Sequence, residues 1–215
     1  MLQRCAIEGA ASVYEGVIVI TILDYGAGNL RSVQNTLGEI GAEFELVRDG
    51  AALSRASKII LPGVGHFGQM MRALDQMQVR EALLERISAS VPFLGICLGL
   101  QALFESSEEA PGERGLGLFP GEIHRFPATA RVPHMGWNEI EPRNGAKLLK
   151  NLAPHPYLYF AHSYYAPLND ATAATCQYNV CYTAVLETKS IFGVQFHPEK
   201  SGPIGLKVVR NFVEV

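Results

Sequence analysis

No stretch of this chain is strongly basic, no apolar run approaches the ~20 residues that cross a bilayer, and its cysteines form no short paired motif. The first absence, with a formal net charge of −3, argues against nucleic acid as a partner. The second gives no reason to expect a membrane span. As for the third, Cys5, Cys97, Cys176 and Cys181 make neither a Cys-x-x-Cys pair nor a disulfide framework. A reducing, cytoplasmic setting is therefore expected, with Cys176 and Cys181 as plain thiols in strands. Residues 1–16 lack the unbroken apolar core of a secretory signal and read as a poorly ordered extension. Residues 17–215 then form one domain, long enough to bury a core without disulfides or metal.

Two nucleotide-binding signatures are also incomplete. Gly26-Ala27-Gly28 lacks the third glycine of a dinucleotide fingerprint, and Pro62-Gly63-Val64-Gly65-His66-Phe67-Gly68 is not followed by the Lys-Ser/Thr of a P-loop. No cofactor and no metal are expected. The glycine-rich loop at 62–68 is either a flexible connector or a source of backbone N–H groups for an oxyanion.

What is present is an alternation of apolar strands and amphipathic helices. Strands are expected over 17–23, 44–47 and 58–61, followed by a buried strand ending near Cys97 and a last one over 190–196. Between them run helical faces: Leu30, Val33, Leu37 and Ile40 after an N-cap at Asn29; Met70, Met71, Leu74 and Met77; then Ala82, Leu83 and Ile87. The methionines read as core filler. A helix is expected from Leu98 through Glu105, then a solvated loop over 105–112 whose carboxylates hold no metal. From Gly115 the pattern turns to short strands, with a short helix over 146–151. This predicts an α/β domain, a doubly wound and mostly parallel sheet of flavodoxin-like type, with a smaller antiparallel sheet packed beside it.

Cys97 falls at the strand-to-helix turn, with Gly95 and Gly99 two residues to either side. This is the nucleophile-elbow spacing with sulfur as the nucleophile, and a thiol at a helix start meets N–H groups that favour thiolate. On spacing alone the alternative is a buried structural cysteine. Pro198 holds His197 in extended backbone, where Glu199, two residues on, lies beside it. A carboxylate on one ring nitrogen leaves the other to take the Cys97 proton: a Cys-His-Glu triad.

Three strings, Pro62-Gly63-Val64-Gly65, Gly95-Ile96-Cys97-Leu98-Gly99-Leu100-Gln101 and Gln195-Phe196-His197-Pro198-Glu199, resemble the signatures of the triad (class I) glutamine amidotransferases. Asp24-Tyr25-Gly26-Ala27-Gly28-Asn29-Leu30, Gly65-His66-Phe67-Gly68, His134-Met135-Gly136-Trp137-Asn138 and Phe160-Ala161-His162-Ser163-Tyr164 narrow the likeness to the glutaminase subunits of imidazole glycerol phosphate synthases. The resemblance implies that Cys97 attacks the glutamine side-chain amide, His197 moves the proton and Glu199 orients His197. It further implies oxyanion donors at Leu98 and in the Gly63, Val64, Gly65 loop, and glutamine contacts at Gln101, Ser163 and Tyr164. It places Asn29, Trp137, Asn138, Tyr159 and Lys200 near the partner interface and ammonia passage. The implied partner is a (β/α)₈-barrel cyclase subunit on a separate chain. Within the superfamily, the His134–Asn138 string argues against an anthranilate-synthase glutaminase or a γ-glutamyl hydrolase. A further expectation is that the 62–65 loop rests with its N–H turned away and rotates when the partner is engaged.

Overall fold

In a computed structural model of the chain, residues 18–215 are described, so the expected extension at 1–16 lies outside them. β1 (Ile20–Leu23), α1 (Leu30–Glu39), β2 (Phe44–Val47), α2 (Gly50–Leu53) and β3 (Ile59–Gly63) open the chain. There follow α3 (Phe67–Gln76), α4 (Arg80–Ser88), β4 (Phe93–Cys97), the single turn α5 (Leu98–Gln101) and β5 (Phe104–Ser107). The rest is mainly strand: β6 (Phe119–Arg125), β7 (His134–Pro142), β8 (Tyr157–His162), β9 (Tyr164–Tyr165), β10 (Thr172–Tyr178), β11 (Val180–Glu187) and β12 (Ile191–Val194). α6 (Gly202–Val213) closes it.

One nine-stranded sheet, in the order β2-β1-β3-β4-β12-β11-β10-β7-β8, carries the domain. Its first five strands pair in parallel, and β11, β10, β7 and β8 continue antiparallel. The inner parallel strands β1, β3 and β4 are buried on both faces, as their continuous apolar runs require. Ile20, Ile22, Ile60, Leu94 and Ile96 meet Val33 and Leu37 of α1 and Val208, Val209 and Phe212 of α6 on one side. Leu23, Ile59, Leu61 and Phe93 meet Met70, Met71 and Leu74 of α3 and Leu83 and Ile87 of α4 on the other. This is the doubly wound arrangement, and Met70 and Met71 are core.

Three local expectations need correction. The strands after Gly115 do not form a separate body: β11 pairs directly with β12, so most of them extend the main sheet. Only β6 and β9 leave it, joining β5 in a small three-stranded sheet. Second, the helix after Cys97 stops at Gln101, because Phe104–Ser107 finds a strand partner in β6. The carboxylates beyond are tethers as well as solvated groups, for Glu105 and Glu108 are exposed. Glu105 accepts from the Gly121 N–H, Glu108 from Arg125 and Glu109 from Phe67. Third, residues 146–151 form successive three-residue turns, such as Leu149 N–H to the Ala146 carbonyl, while Glu187 takes the N–H groups of Lys147 and Leu148.

α6 ends on a buried cation. Lys58, 1% exposed, donates from Nζ to the carbonyls of Phe212, Val213 and Val215 at 3.1, 2.7 and 3.1 Å. A helix C-terminus leaves its last carbonyls short of partners, and a cation is favourable there. Lys58→Met keeps the stem and removes the three bonds. It should cost ~1–3 kcal/mol, read as a lower urea midpoint at unchanged slope.

Candidate active site

The ends of β3, β4 and β12 lie side by side. Gly63 is in register with Cys97, and Val194 with Ile96. Chain at and beyond these ends places Val64, Gly65, Cys97, Leu98, Gln101 and His197 around one cavity of about 230 Å³, which Ala161, His162, Ser163 and Tyr164 from the end of β8 also line. Ligands in open α/β sheets sit at such carboxyl ends.

Cys97 has φ 54° and ψ −106°, a left-handed-side backbone that costs a non-glycine residue on the order of 1–3 kcal/mol. The turn is held by close packing that only glycine permits. A Cβ on Gly99 would meet the Leu61 carbonyl oxygen at 2.0 Å, and one on Gly95 the Gly99 carbonyl oxygen at 2.4 Å. α5 is a single turn, too short for a long helix dipole, and the Cys97 side chain makes no cap hydrogen bond to it.

His197 is extended (φ −100°, ψ 96°), as Pro198 requires. Its Nδ1 lies 2.9 Å from Glu199 Oε1. The juxtaposition is made by a 3₁₀ turn over Pro198–Lys200, not by extended chain. Both side chains are almost wholly buried. Burial opposes a charged His197 ring, yet its contacts with Cys97 and Glu199 outweigh that and hold its pKa above the ordinary histidine value, at about 10.

Gln101 is buried. Its Nε2 donates to the Tyr164 carbonyl at 2.9 Å and to Gln195 Oε1 at 3.1 Å. Gln195 in turn places its Nε2 3.6 Å from Cys97 Sγ. Gln195 is a site residue that sequence reasoning missed. The available signal was a polar residue inside an otherwise apolar buried strand, two positions before His197. Glu109 also borders the cavity.

The five residues expected near a partner divide in two. Trp137, 55% exposed, stands edge-on to Tyr159 at 6.1 Å, and Lys200 Nζ lies 5.8 Å above the Tyr159 ring. Asn29 points inward: its Nδ2 is 3.4 Å from Glu199 Oε1, while its Oδ1 accepts from Ser32. It occupies the N-cap position of α1 without a side-chain cap bond. Asn138 borders a second groove beside Trp137. Among the described residues, Glu108, Glu122 and His124 bring possible metal-ligand atoms within 4.8 Å of one another. None of these three lines the Cys97 cavity. No helix is long and apolar enough to cross a membrane among the described residues.

Cys97, His197 and the Val64–Gly65 segment thus line one cavity, with Glu199 bound behind the His197 ring. Residues 21–215 match the glutamine amidotransferase class-I family, to which the chain belongs. Solved structures agree on the fold: one described as a glutamine amidotransferase has a TM-score of 0.72 at 18% identity, covering 91% of this chain and 97% of its own. PurLQS from Thermotoga maritima gives 0.72 at 19%, with the same coverages. Within the family the chain falls among the imidazole glycerol phosphate synthase HisH subunits. It is 49% identical to that of Methanothermobacter thermautotrophicus over 92% of this chain and 98% of the relative. It is 43% identical to that of Desulfitobacterium hafniense over 90% and 93%. The chloroplastic hisHF synthase of Arabidopsis thaliana is 42% identical over 91% of this chain, which covers 34% of the plant protein.

Behind the cavity, burial drives the pKa of His162 down to about 3 and that of His134 to about 4. Both rings fold neutral, so they bind fewer protons than in the unfolded chain, where histidine titrates near ~6.5. Their stabilisation is complete above that pH and declines as pH falls toward 4, by ~2 kcal/mol per ring at about pH 5. Urea midpoints from pH 7 to 4.5 should show the decline, and His162→Gln should flatten it.

Proposed function

We propose that this chain hydrolyses glutamine to glutamate and ammonia through Cys97, His197 and Glu199, and passes the ammonia to a cyclase that makes imidazole glycerol phosphate. The observation that carries the reading is the shared cavity: the elbow sulfur and the carboxylate-bound imidazole lie together at the ends of adjacent strands.

The chemistry follows from the residues. Cys97 sulfur attacks the side-chain amide carbon of glutamine, and the carbonyl oxygen takes up negative charge. The Leu98 N–H and an N–H from the Gly63, Val64, Gly65 loop meet that charge. His197, carrying the proton taken from Cys97, gives it to the departing nitrogen, leaving a glutamyl thioester and ammonia. Water, deprotonated by His197, then cleaves the thioester to glutamate and frees the Cys97 sulfur, with the proton back on His197. Glu199 orients the ring throughout. Gln101, Ser163 and Tyr164 hold the polar end of the substrate.

Ammonia released into water near neutral pH takes a proton and loses its nucleophilic lone pair, so the product must travel by a protected route. The partner in this reading is a (β/α)₈-barrel subunit that converts a phosphoribulosyl formimino ribonucleotide to imidazole glycerol phosphate and an aminoimidazole carboxamide ribonucleotide. The plant relative supports a joined arrangement, since this chain matches only 34% of it. The patch of exposed Trp137 and Lys200 around half-buried Tyr159, with Lys200 the residue after Glu199, is the docking surface, with Asn29 and Asn138 beside the ammonia route.

Mixed with a barrel cyclase, the native chain should support synthase activity from glutamine. Cys97→Ala should abolish that activity yet retain the reaction fed by ammonium salts, and His197→Gln should lower the glutamine reaction ~10²–10⁴-fold. A Cys97→Ala chain that still uses glutamine would sink the reading. The resting-loop idea adds an expected outcome: the chain alone hydrolyses glutamine slowly, and the liganded complex much faster. Equal rates would remove the loop from the account.

A further inference from the structure

Between the cavity and the groove beside Trp137 runs a line of polar side chains, two of them buried histidines to which the reaction above gives no task. His134 on β7 and His162 on β8 are register partners. His162 Nδ1 is 2.8 Å from the Tyr164 carbonyl oxygen, which only accepts, so Nδ1 carries the hydrogen. The ring is neutral, and Nε2 is therefore a lone pair. That lone pair faces His134 Nδ1 at 3.3 Å and the Tyr182 hydroxyl at 3.2 Å. His134 Nδ1 also lies 3.3 Å from the Tyr182 hydroxyl, which can donate to either ring; what places the hydrogen on His134 Nδ1 is the other side of the ring, where Nε2 faces an amide donor. His134 Nε2 is then an acceptor, and Asn138 Nδ2 stands 3.4 Å away.

The outer end is fixed too. Asn138 Oδ1 accepts from the Glu139 N–H at 2.8 Å, and Nδ2 also donates to the Gln177 carbonyl at 3.2 Å, so the amide cannot be turned over. The His134 ring is sandwiched between Tyr178 at 3.8 Å and Phe160 at 5.0 Å, both nearly parallel to it. At the inner end, the Tyr164 carbonyl that His162 holds is the one that Gln101 also binds, and Gln101 holds Gln195 against the Cys97 sulfur.

We propose that Asn138, His134 and His162 are positioning residues, a hydrogen-bond chain of fixed polarity that sets the Tyr164 carbonyl and, through Gln101 and Gln195, the Cys97 sulfur. The chain starts on the face that carries Trp137, so a group gripping Asn138 from outside is read inside the glutamine cavity. This rests on Cys97 being the nucleophile. An acceptor in place of the Asn138 amide reverses the polarity: His134 must then carry hydrogen on Nε2 and turn a lone pair toward that of His162.

Long-range ¹⁵N–¹H spectra of the full chain should show both His134 and His162 as Nδ1–H tautomers, and Asn138→Asp should convert His134 to the Nε2–H form. An Nε2–H ring at either position in the native chain overturns the proposal. In the complex with saturating barrel subunit, His134→Leu and Asn138→Asp should raise the KM for glutamine about tenfold, a loss seen more in KM than in kcat. His134→Gln, which restores one acceptor and one donor, should recover most of it. A KM unchanged in His134→Leu, or not recovered in His134→Gln, also overturns it. If the native complex fails to hydrolyse glutamine, the catalytic reading is lost, and the tautomer spectra alone decide the chain.

Discussion

The site depends on how closely α5 lies against the neighbouring strand β3. The Gly99 backbone sits under the Leu61 carbonyl so tightly that a Cβ would fall 2.0 Å from its oxygen, and a Cβ on Gly63 would meet the Gly99 nitrogen at 2.7 Å. That contact leaves the chain no room to leave β4 gradually. It turns within one residue, and Cys97 takes the strained conformation at the turn. The strain is offset by the buried parallel strands on either side, which resist relaxation because their apolar faces are covered by helices from both directions. A nucleophile on a loop would be free to rotate away from its base. Here, relaxing the turn would require β3 and β4 to separate.

The two halves of the sheet share the burden of placing the base. β12 pairs in parallel with β4 and antiparallel with β11, so it is the strand at which the sheet changes sense. His197 leaves its end and donates its N–H to the Tyr159 carbonyl at 2.8 Å, while Ser201 Oγ bonds the His197 carbonyl and accepts from the Tyr159 N–H. The imidazole is thus tied to β8 on the far antiparallel edge. Trp137 and Tyr159 lie on that same pair of strands. Whatever presses on the exposed edge acts on backbone that is hydrogen-bonded to the base.

Much of this was legible in the chain because short-range rules dominate where it matters. The glycines around Cys97, the proline after His197 and the doubly covered strands each have one local physical reading. Where partners distant in sequence decide, local rules misled. Phe104 continued a helical pattern, but β6 offered it a strand. For Gln101, nothing nearby in sequence reveals that Gln195 and the Tyr164 carbonyl will close over it. His134 and His162 were visible only as parts of longer strings, since their pairing depends on the β7–β8 register.

The protonation state of the resting site follows from what Glu199 lacks. Its side chain is 2% exposed, Oε1 faces His197 and Asn29, and Oε2 is buried with no partner. A carboxylate withdrawn from water with so few donors needs a positive charge beside it. Among the groups in contact with it, only the His197 ring can supply one, and that ring's pKa is raised by its contacts with Cys97 and Glu199 together. The proton on His197 is therefore held between the sulfur and the carboxylate before any substrate arrives. In the proposed reaction it is the proton that the leaving nitrogen needs. Burying Glu199 thus does more than aim the ring: it stores the acid for the first step, and once that proton is given up, it leaves a base strong enough to activate the water for the second.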